Sequence, residues 1–161
     1  MTTVSPKTIP LRLMAAVSLF EAFVSDRIMK YVAATSFQHL DHELNNIVDV
    51  TYHQNFGLIG NLPVPLPIIL FIVLLAIVFV GRKILELPSD GEKLQAIALG
   101  MILGGALGNL FDRVVYGYVI DWILLGGRSV INLADISIAT GALIYVFAPK
   151  ISSVDSTPKE S

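Results

Sequence analysis

Six polar residues, Asn109, Asp112, Arg113, Asp121, Asn132 and Asp135, fall within the 32 residues from Gly104 to Asp135. Their neighbours are mostly apolar, and carboxylates in such surroundings are costly unless they have work to do. Two carboxylates brought together cannot both ionise cheaply. One keeps its proton, and the pair then offers an acid and a base at a single pH. Activating a water against an amide carbonyl, while protonating the departing nitrogen, needs that combination. A low dielectric at a membrane boundary strengthens each electrostatic contribution. The stretch therefore reads as a two-aspartate catalytic centre at a membrane surface.

Other chemistries find little support. The chain has no cysteine, which removes thiol nucleophiles, disulfides and thiolate metal sites. All three histidines, His39, His42 and His53, lie in one connection. His39 and His42 with Glu43 lack the HExxH spacing, and no second cluster completes a coordination sphere. A solvated loop is the better reading, with no metal and no other cofactor. The carboxylates also have ordinary explanations. Asn132 and Asp135 are three apart, so they share a helix face and fit an N-cap with a capping box. That role is compatible with chemistry, because a helix N-terminus favours an ionised Asp135. Asp121, inside VVYGYVIDWI, fits a surface strand, and Asp112-Arg113 fits an interfacial ion pair. Asp26 and Lys30, at i,i+4, fit a helix-end pair worth about 0.2–0.5 kcal/mol.

The elements that must position these groups are greasy. Of 161 residues, 54% are hydrophobic and only 15% charged, against roughly 25% charged in soluble domains. Mean hydropathy is +0.71. These values predict an all-α membrane protein with four transmembrane helices, a small outward-facing antiparallel β-sheet and extracytoplasmic loops. The net charge of −2 offers no basic surface for nucleic acid.

The spans are read at about 9–25, 64–81, 94–111 and 132–148. The first imitates a signal peptide. Glu21 interrupts its apolar run, however, and no small-residue cleavage site precedes a polar mature chain, so it reads as retained, with helix continuing to Ala33. The second, PVPLPIILFIVLLAIVFVGRK, carries Pro63, Pro65 and Pro67 at its start, where missing N–H donors matter least. In the third, Gly100, Gly104 and Gly108 recur every four residues, a stripe that lets helices approach closely. The fourth ends at Pro149-Lys150. Residues 1–150 form one polytopic domain, and 151–161 read as a disordered cytoplasmic tail.

Between the first two spans, IVDVTYHQ alternates. Val48, Val50 and Tyr52 lie on one face, with Asp49, Thr51 and His53 on the other, which is strand periodicity. Asn55-Phe56-Gly57 and Gly60-Asn61 read as turns. VVYGYVIDWI reads as a strand or extended surface segment broken at Gly117, and Gly126-Gly127 as a loop. With four spans, Lys7, Arg12, Arg82, Lys83, Lys93, Lys150 and Lys159 share one side, and Arg27, Lys30, Arg113 and Arg128 the other. Seven against four puts both termini in the cytoplasm. Asp26, Asn55, Asp112, Asp121 and Asp135 then gather at the outer face.

That set resembles lipoprotein signal peptidase (signal peptidase II), the aspartic endopeptidase family of the bacterial inner membrane. Asp26 and Lys30 resemble its first motif, and Asn55-Phe56-Gly57 its second, asparagine-x-glycine. Gly108-Asn109-Leu110-Phe111-Asp112-Arg113 matches the third, GNxxDR. Val119-Ile120-Asp121-Trp122 resembles the fourth, usually VxDF, with Trp122 in place of phenylalanine. Asn132-Leu133-Ala134-Asp135 matches the fifth, NxAD. Each is weak alone; five in order on one membrane face are strong. Leu58-Ile59-Gly60 departs from the small residues and phenylalanine usual after the second motif, and the Asp121–Asp135 spacer is short.

The resemblance implies roles. Asp121 and Asp135 would be the catalytic dyad. Asn109, Arg113 and Asn132 would orient the dyad and substrate backbone, with Ala134 beside them in the fifth motif. Asp26, Asn55 and Gly57 would support the site, and Gly108 would permit close approach. Asp112 would give structural support, and Lys30 would hold the surface architecture. The substrate would be a diacylglyceryl-modified prolipoprotein in membrane lipid, cut before its lipidated cysteine, and globomycin-type compounds would inhibit. The alternative is a non-enzymatic four-span transporter or assembly factor. Polar groups crossing the bilayer would favour transport, whereas these cluster at one face. Another type of intramembrane aspartic protease would need a GxGD motif deep in a helix, which the chain lacks.

Overall fold

The computed structural model describes residues 9–38, 47–58, 62–88 and 92–148. In chain order the elements are α1 (Leu11–Ser36), β1 (Val48–Asn55), α2 (Leu66–Leu85), α3 (Lys93–Tyr116), β2 (Val119–Leu125), β3 (Ser129–Ile131) and α4 (Leu133–Phe147). Helix α3 is central, with α1 and α4 packed closely against it and α2 more loosely.

The close packing follows from small residues. A Cβ on Gly100 or Gly104 would collide with the carbonyl oxygens of Ala15 and Leu19, so this stripe is where α1 lies on α3. Gly105, one position round the helix, instead faces the Ala134 carbonyl of α4. The buried apolar residues are correspondingly small, with Ala15, Ala33, Ala96, Ala98 and Ala134 fully buried. Packing here rests on backbone proximity rather than on large side chains.

Helix α2 buries only Ile69, and exposes Ile68, Phe71, Leu74, Leu75, Val78 and Phe79. An apolar surface of that kind is ill-suited to water and well suited to lipid. Helices α2 and α3 are long and apolar enough to cross a membrane. Helix α1 has 26 residues but carries Glu21, Asp26, Arg27 and Lys30. Helix α4 has 15 residues, a length of roughly 22 Å at 1.5 Å per residue.

The sheet is antiparallel in the order β1-β2-β3. His53 lies opposite Asp121 and Asn55 opposite Val119, with an irregularity between Val50 and His53. The expected strand is present, but its burial does not alternate regularly across that irregularity: Thr51 and Asn55 are its buried residues while Val48 is exposed. The polar face of the strand thus turns toward the protein. Strand β3, not foreseen from sequence, pairs Ile131 with Ile123. Its hairpin turns through Gly126 (φ 55°) and Gly127 (φ 64°), left-handed conformations that suit a tight hairpin.

One expectation needs correction. Val114–Tyr116 are helical, because α3 continues to Gly117. There the backbone turns left-handed at φ 81° and the Gly117 N–H closes on the Arg113 carbonyl at 3.1 Å. Only the part of VVYGYVIDWI after that cap is strand. The Gly60-Asn61 turn, Ile59, His39, His42, Glu43, the terminal tail and Pro149-Lys150 lie outside the described residues.

Candidate active site

At the sheet end of the helices the interior becomes polar. Asp26, Lys30, Asp112, Asp121 and Asn132 are each at most 1% exposed. They divide into two connected groups.

The first group is ionic. Lys30 Nζ reaches Asp26 Oδ2 at 2.9 Å and Asp112 Oδ2 at 2.8 Å. Arg27 bonds the same two carboxylates, Asp112 Oδ1 at 2.6 Å and Asp26 Oδ2 at 3.0 Å. Its guanidinium also lies 4.9 Å from the Phe111 ring centre, a cation–π contact. Backbone donors complete the set: Ala134 N–H to Asp26 Oδ1 at 3.1 Å and Ile120 N–H to Asp112 Oδ2 at 3.2 Å. Two anions and two cations thereby join α1, α3, α4 and the strand β2. A Cβ on Gly108 would lie 2.6 Å from Asp26 Oδ2, so a larger residue there would displace this cluster.

The second group holds Asp121 and Asp135 with neutral amides. Asp121 Oδ2 accepts from Asn55 Nδ2 at 2.9 Å, and Oδ1 from Asn132 Nδ2 at 2.6 Å. Asp135 Oδ1 accepts from Asn109 Nδ2 at 2.9 Å. Asn132 Nδ2 also reaches Asn109 Oδ1 at 3.2 Å, so the two amides connect the two carboxylates. Among the described residues neither carboxylate has a salt bridge.

Local structure explains the placement. Asn132 caps α4, accepting the Asp135 N–H at 2.9 Å while Asp135 Oδ2 receives the Asn132 N–H at 3.3 Å. The capping box read from sequence is therefore present, and Asn132 also donates to Asp121. Asn55 ends β1 in a turn whose Gly57 N–H returns to Asn55 Oδ1 at 3.0 Å. Arg113 fastens that turn to α3 by donating to the Gly57 carbonyl at 3.0 Å and to the Asn109 carbonyl at 3.2 Å.

Burial is the main influence on Asp121 and pushes its carboxyl up to about 6. The hydrogen bond from Asn55 opposes that shift, the charge of Asp135 adds to it, and the Asn132 bond and Lys30 oppose it. Asp121 thus has a proton affinity close to neutral pH, as acid–base work requires. Asp135 is only half-buried, and so is the more accessible of the two.

The structure brings Asp26, Lys30, Asn55, Gly57, Gly108, Asn109, Asp112, Arg113, Asp121, Asn132, Ala134 and Asp135 into one region. Two simpler explanations fail there. Asp121 is buried rather than on a strand surface. Asp112 pairs with Arg27 and Lys30, not with Arg113. The i,i+4 pair of Asp26 and Lys30 is present, and it is buried. Arg27 was missed as a site residue; its adjacency to Asp26 was the available signal. Trp122 packs on Phe37, ring centres 6.1 Å apart, where the larger indole is accommodated. Among the described residues no group of histidines and carboxylates is arranged to hold a metal.

Comparison with known proteins bears on this arrangement. A family model for signal peptidase (SPase) II matches residues 18–149. A lipoprotein signal peptidase of Syntrophomonas wolfei is 38% identical over 127 residues, 76% of this chain and 83% of that protein. One from Moorella thermoacetica is 34% identical over 125 residues, 74% of this chain and 81% of its own length. A bacterial membrane enzyme solved by the in meso method superposes with a TM-score of 0.73 at 22% identity, covering 91% of this chain and 93% of the other. That likeness shows a shared fold.

Proposed function

The chain belongs to the signal peptidase II family, and on that premise we propose that Asp121 and Asp135 are the catalytic dyad of an aspartic endopeptidase. As a lipoprotein signal peptidase it is a membrane hydrolase of the bacterial inner membrane, acting on prolipoproteins. The finer reading has four spans in a single domain over residues 1–150, both termini cytoplasmic and the dyad at the outer face. The substrate is a diacylglyceryl-modified precursor whose signal helix lies in the surrounding membrane lipid, with the scissile bond just before the lipidated cysteine. Globomycin-type compounds compete for the same place, and nucleic acid has no part.

In the proposed reaction a water sits between the two carboxylates. The ionised one takes a proton from it as the water oxygen bonds to the scissile carbonyl carbon. The protonated one delivers its proton to the developing oxyanion. The tetrahedral species then collapses. The dyad's protonated carboxyl gives its proton to the nitrogen and the ionised one takes a proton from a hydroxyl of the tetrahedral carbon as the carbonyl re-forms, so the carbon–nitrogen bond breaks and one carboxylate is again protonated for the next cycle. One water is consumed, one acid and one amine are released, and no covalent enzyme intermediate forms.

The observation that carries this reading is how the two carboxylates are held. They come from different elements and meet through Asn109 and Asn132, with neutral donors instead of cations. A salt bridge would hold an aspartate ionised, whereas amide donors leave it able to exchange a proton. A transporter would need polar groups along a path through the bilayer, and the buried acids here cluster at one end. The test is cleavage of a diacylglyceryl-modified precursor by purified protein beside Asp121→Asn and Asp135→Asn. Processing at the normal rate by either variant would overturn the dyad.

A further inference from the structure

We propose that Lys30 is a positioning residue for the Asp121/Asp135 pair, acting through the Asn109 amide. The proposal rests on the dyad reading above and gives a role in the chemistry to a side chain that never touches either carboxylate in that pair.

Lys30 is 1% exposed, and its ammonium has three N–H donors and no acceptor. All three have partners: Asp26 Oδ2 at 2.9 Å, Asp112 Oδ2 at 2.8 Å and Asn109 Oδ1 at 2.8 Å. The first two bonds balance charge. The third does something different, because it fixes which end of the Asn109 amide faces which neighbour. With its oxygen toward the ammonium, Asn109 must aim its NH2 at Asp135, where the bond is 2.9 Å. The reverse orientation would set an NH2 against an NH3+, donor against donor, between two buried side chains.

The same oxygen receives Asn132 Nδ2 at 3.2 Å, and that amide nitrogen also holds Asp121 Oδ1 at 2.6 Å. One ammonium on α1 therefore sets the orientation of amides that reach both carboxylates, on β2 and α4. The charged groups around Lys30 are Asp26 from its own helix and Asp112 from α3, with Arg27 on the same two carboxylates, and its charge acts on Asp121 from β2 and Asp135 from α4. The cation also favours the ionised form of Asp121. An ion pair serving architecture alone would need only the two aspartates.

The test uses the full-length enzyme with the diacylglyceryl-modified precursor. Lys30→Met alone leaves an excess buried negative charge and is prone to unfold, so it is paired with Asp112→Asn, which restores neutrality. The double variant is expected to fold, to keep KM within about threefold, and to lose kcat by roughly 100-fold, the scale of a misoriented acid–base group. The acidic limb of kcat/KM should move to higher pH, because a cation that favours the ionised dyad has gone. In an Asn109→Ala background, adding Lys30→Met with Asp112→Asn should cost kcat no more than about threefold, since the intermediary is already missing. A folded double variant with normal kcat and an unmoved acidic limb overturns the proposal, as do losses that multiply in the Asn109→Ala background. Asp121→Asn and Asp135→Asn, assayed alongside, separate the two failures. If they are inactive while the double variant is normal, only the Lys30 role falls; if they are active, the dyad reading falls too.

Discussion

Two pairs of aspartates lie within one polar interior, and they are held in opposite ways. Asp26 and Asp112 are fully buried and neutralised by Lys30 and Arg27. Among the described residues, Asp121 and Asp135 receive only amide and backbone donors. The first arrangement fixes charge. Each carboxylate meets both cations, and the four side chains hold helix to helix. The second fixes geometry while leaving the proton free to move. On the proposed reading the same side chain serves structure or chemistry according to whether its partners are cations or neutral donors. The two sets meet at Asn109, which accepts from Lys30 and donates to Asp135.

The largest expected effect breaks the ionic pair. Lys30→Met leaves Asp26 and Asp112 sharing one cation, and removing one partner of a buried ion pair typically costs about 3–5 kcal/mol. Thermal unfolding in detergent should show that loss. A melting temperature unchanged from wild type would mean that the cluster does not hold the helices.

The amide-held pair predicts a pH dependence instead. The Asp121 carboxyl lies at about 6 when folded, above its ordinary value of 3.8, so the folded state binds this proton more tightly than the unfolded chain. The resulting stabilisation is complete below pH ~4 and is lost as pH rises through about 6. The stability difference between wild type and Asp121→Asn should therefore fall by about 2 kcal/mol between pH 4 and pH 7. Unfolding followed across that range checks it, and a difference that stays constant would show that Asp121 is not perturbed.

A smaller effect sharpens the division between cap and site. Asn132→Ala removes the α4 cap, worth about 1 kcal/mol, together with the 2.6 Å bond to Asp121. Asn132→Ser keeps a capping oxygen and lacks the amide donor. Stability should recover in the serine variant and activity should not. Recovery of both would reduce Asn132 to a cap.

How much of this was legible in sequence depended on distance along the chain. Helix α2 was read from an uninterrupted apolar run, the glycine stripe from its four-residue period, and the capping box from residues three apart. Those signals are local. The β3 strand was missed because three residues carry too little pattern. The end of α3 was misjudged because Val114, Val115 and Tyr116 favour strands, and only the left-handed Gly117 shows where the helix stops. The partner of Asp112 was also illegible. Arg27 lies 85 residues away in sequence, while Arg113 stood next to it as the obvious candidate. The proposed catalytic pair was named through resemblance to a family; its residues alone also fitted capping and strand surface. What the structure adds is that Asp121 is buried and that its donors are neutral.

The most direct test of the contrast replaces each of the four aspartates by asparagine and measures cleavage of a diacylglyceryl-modified precursor per folded molecule. Asp121→Asn and Asp135→Asn should fold and lose roughly 10²–10⁴-fold in rate, the usual contribution of a positioned acid or base. Asp26→Asn and Asp112→Asn should lose stability, with a far smaller loss in the rate of the molecules that remain folded. Equal losses of rate from all four, at equal stability, would contradict the division of the polar interior into a structural pair and a reactive one.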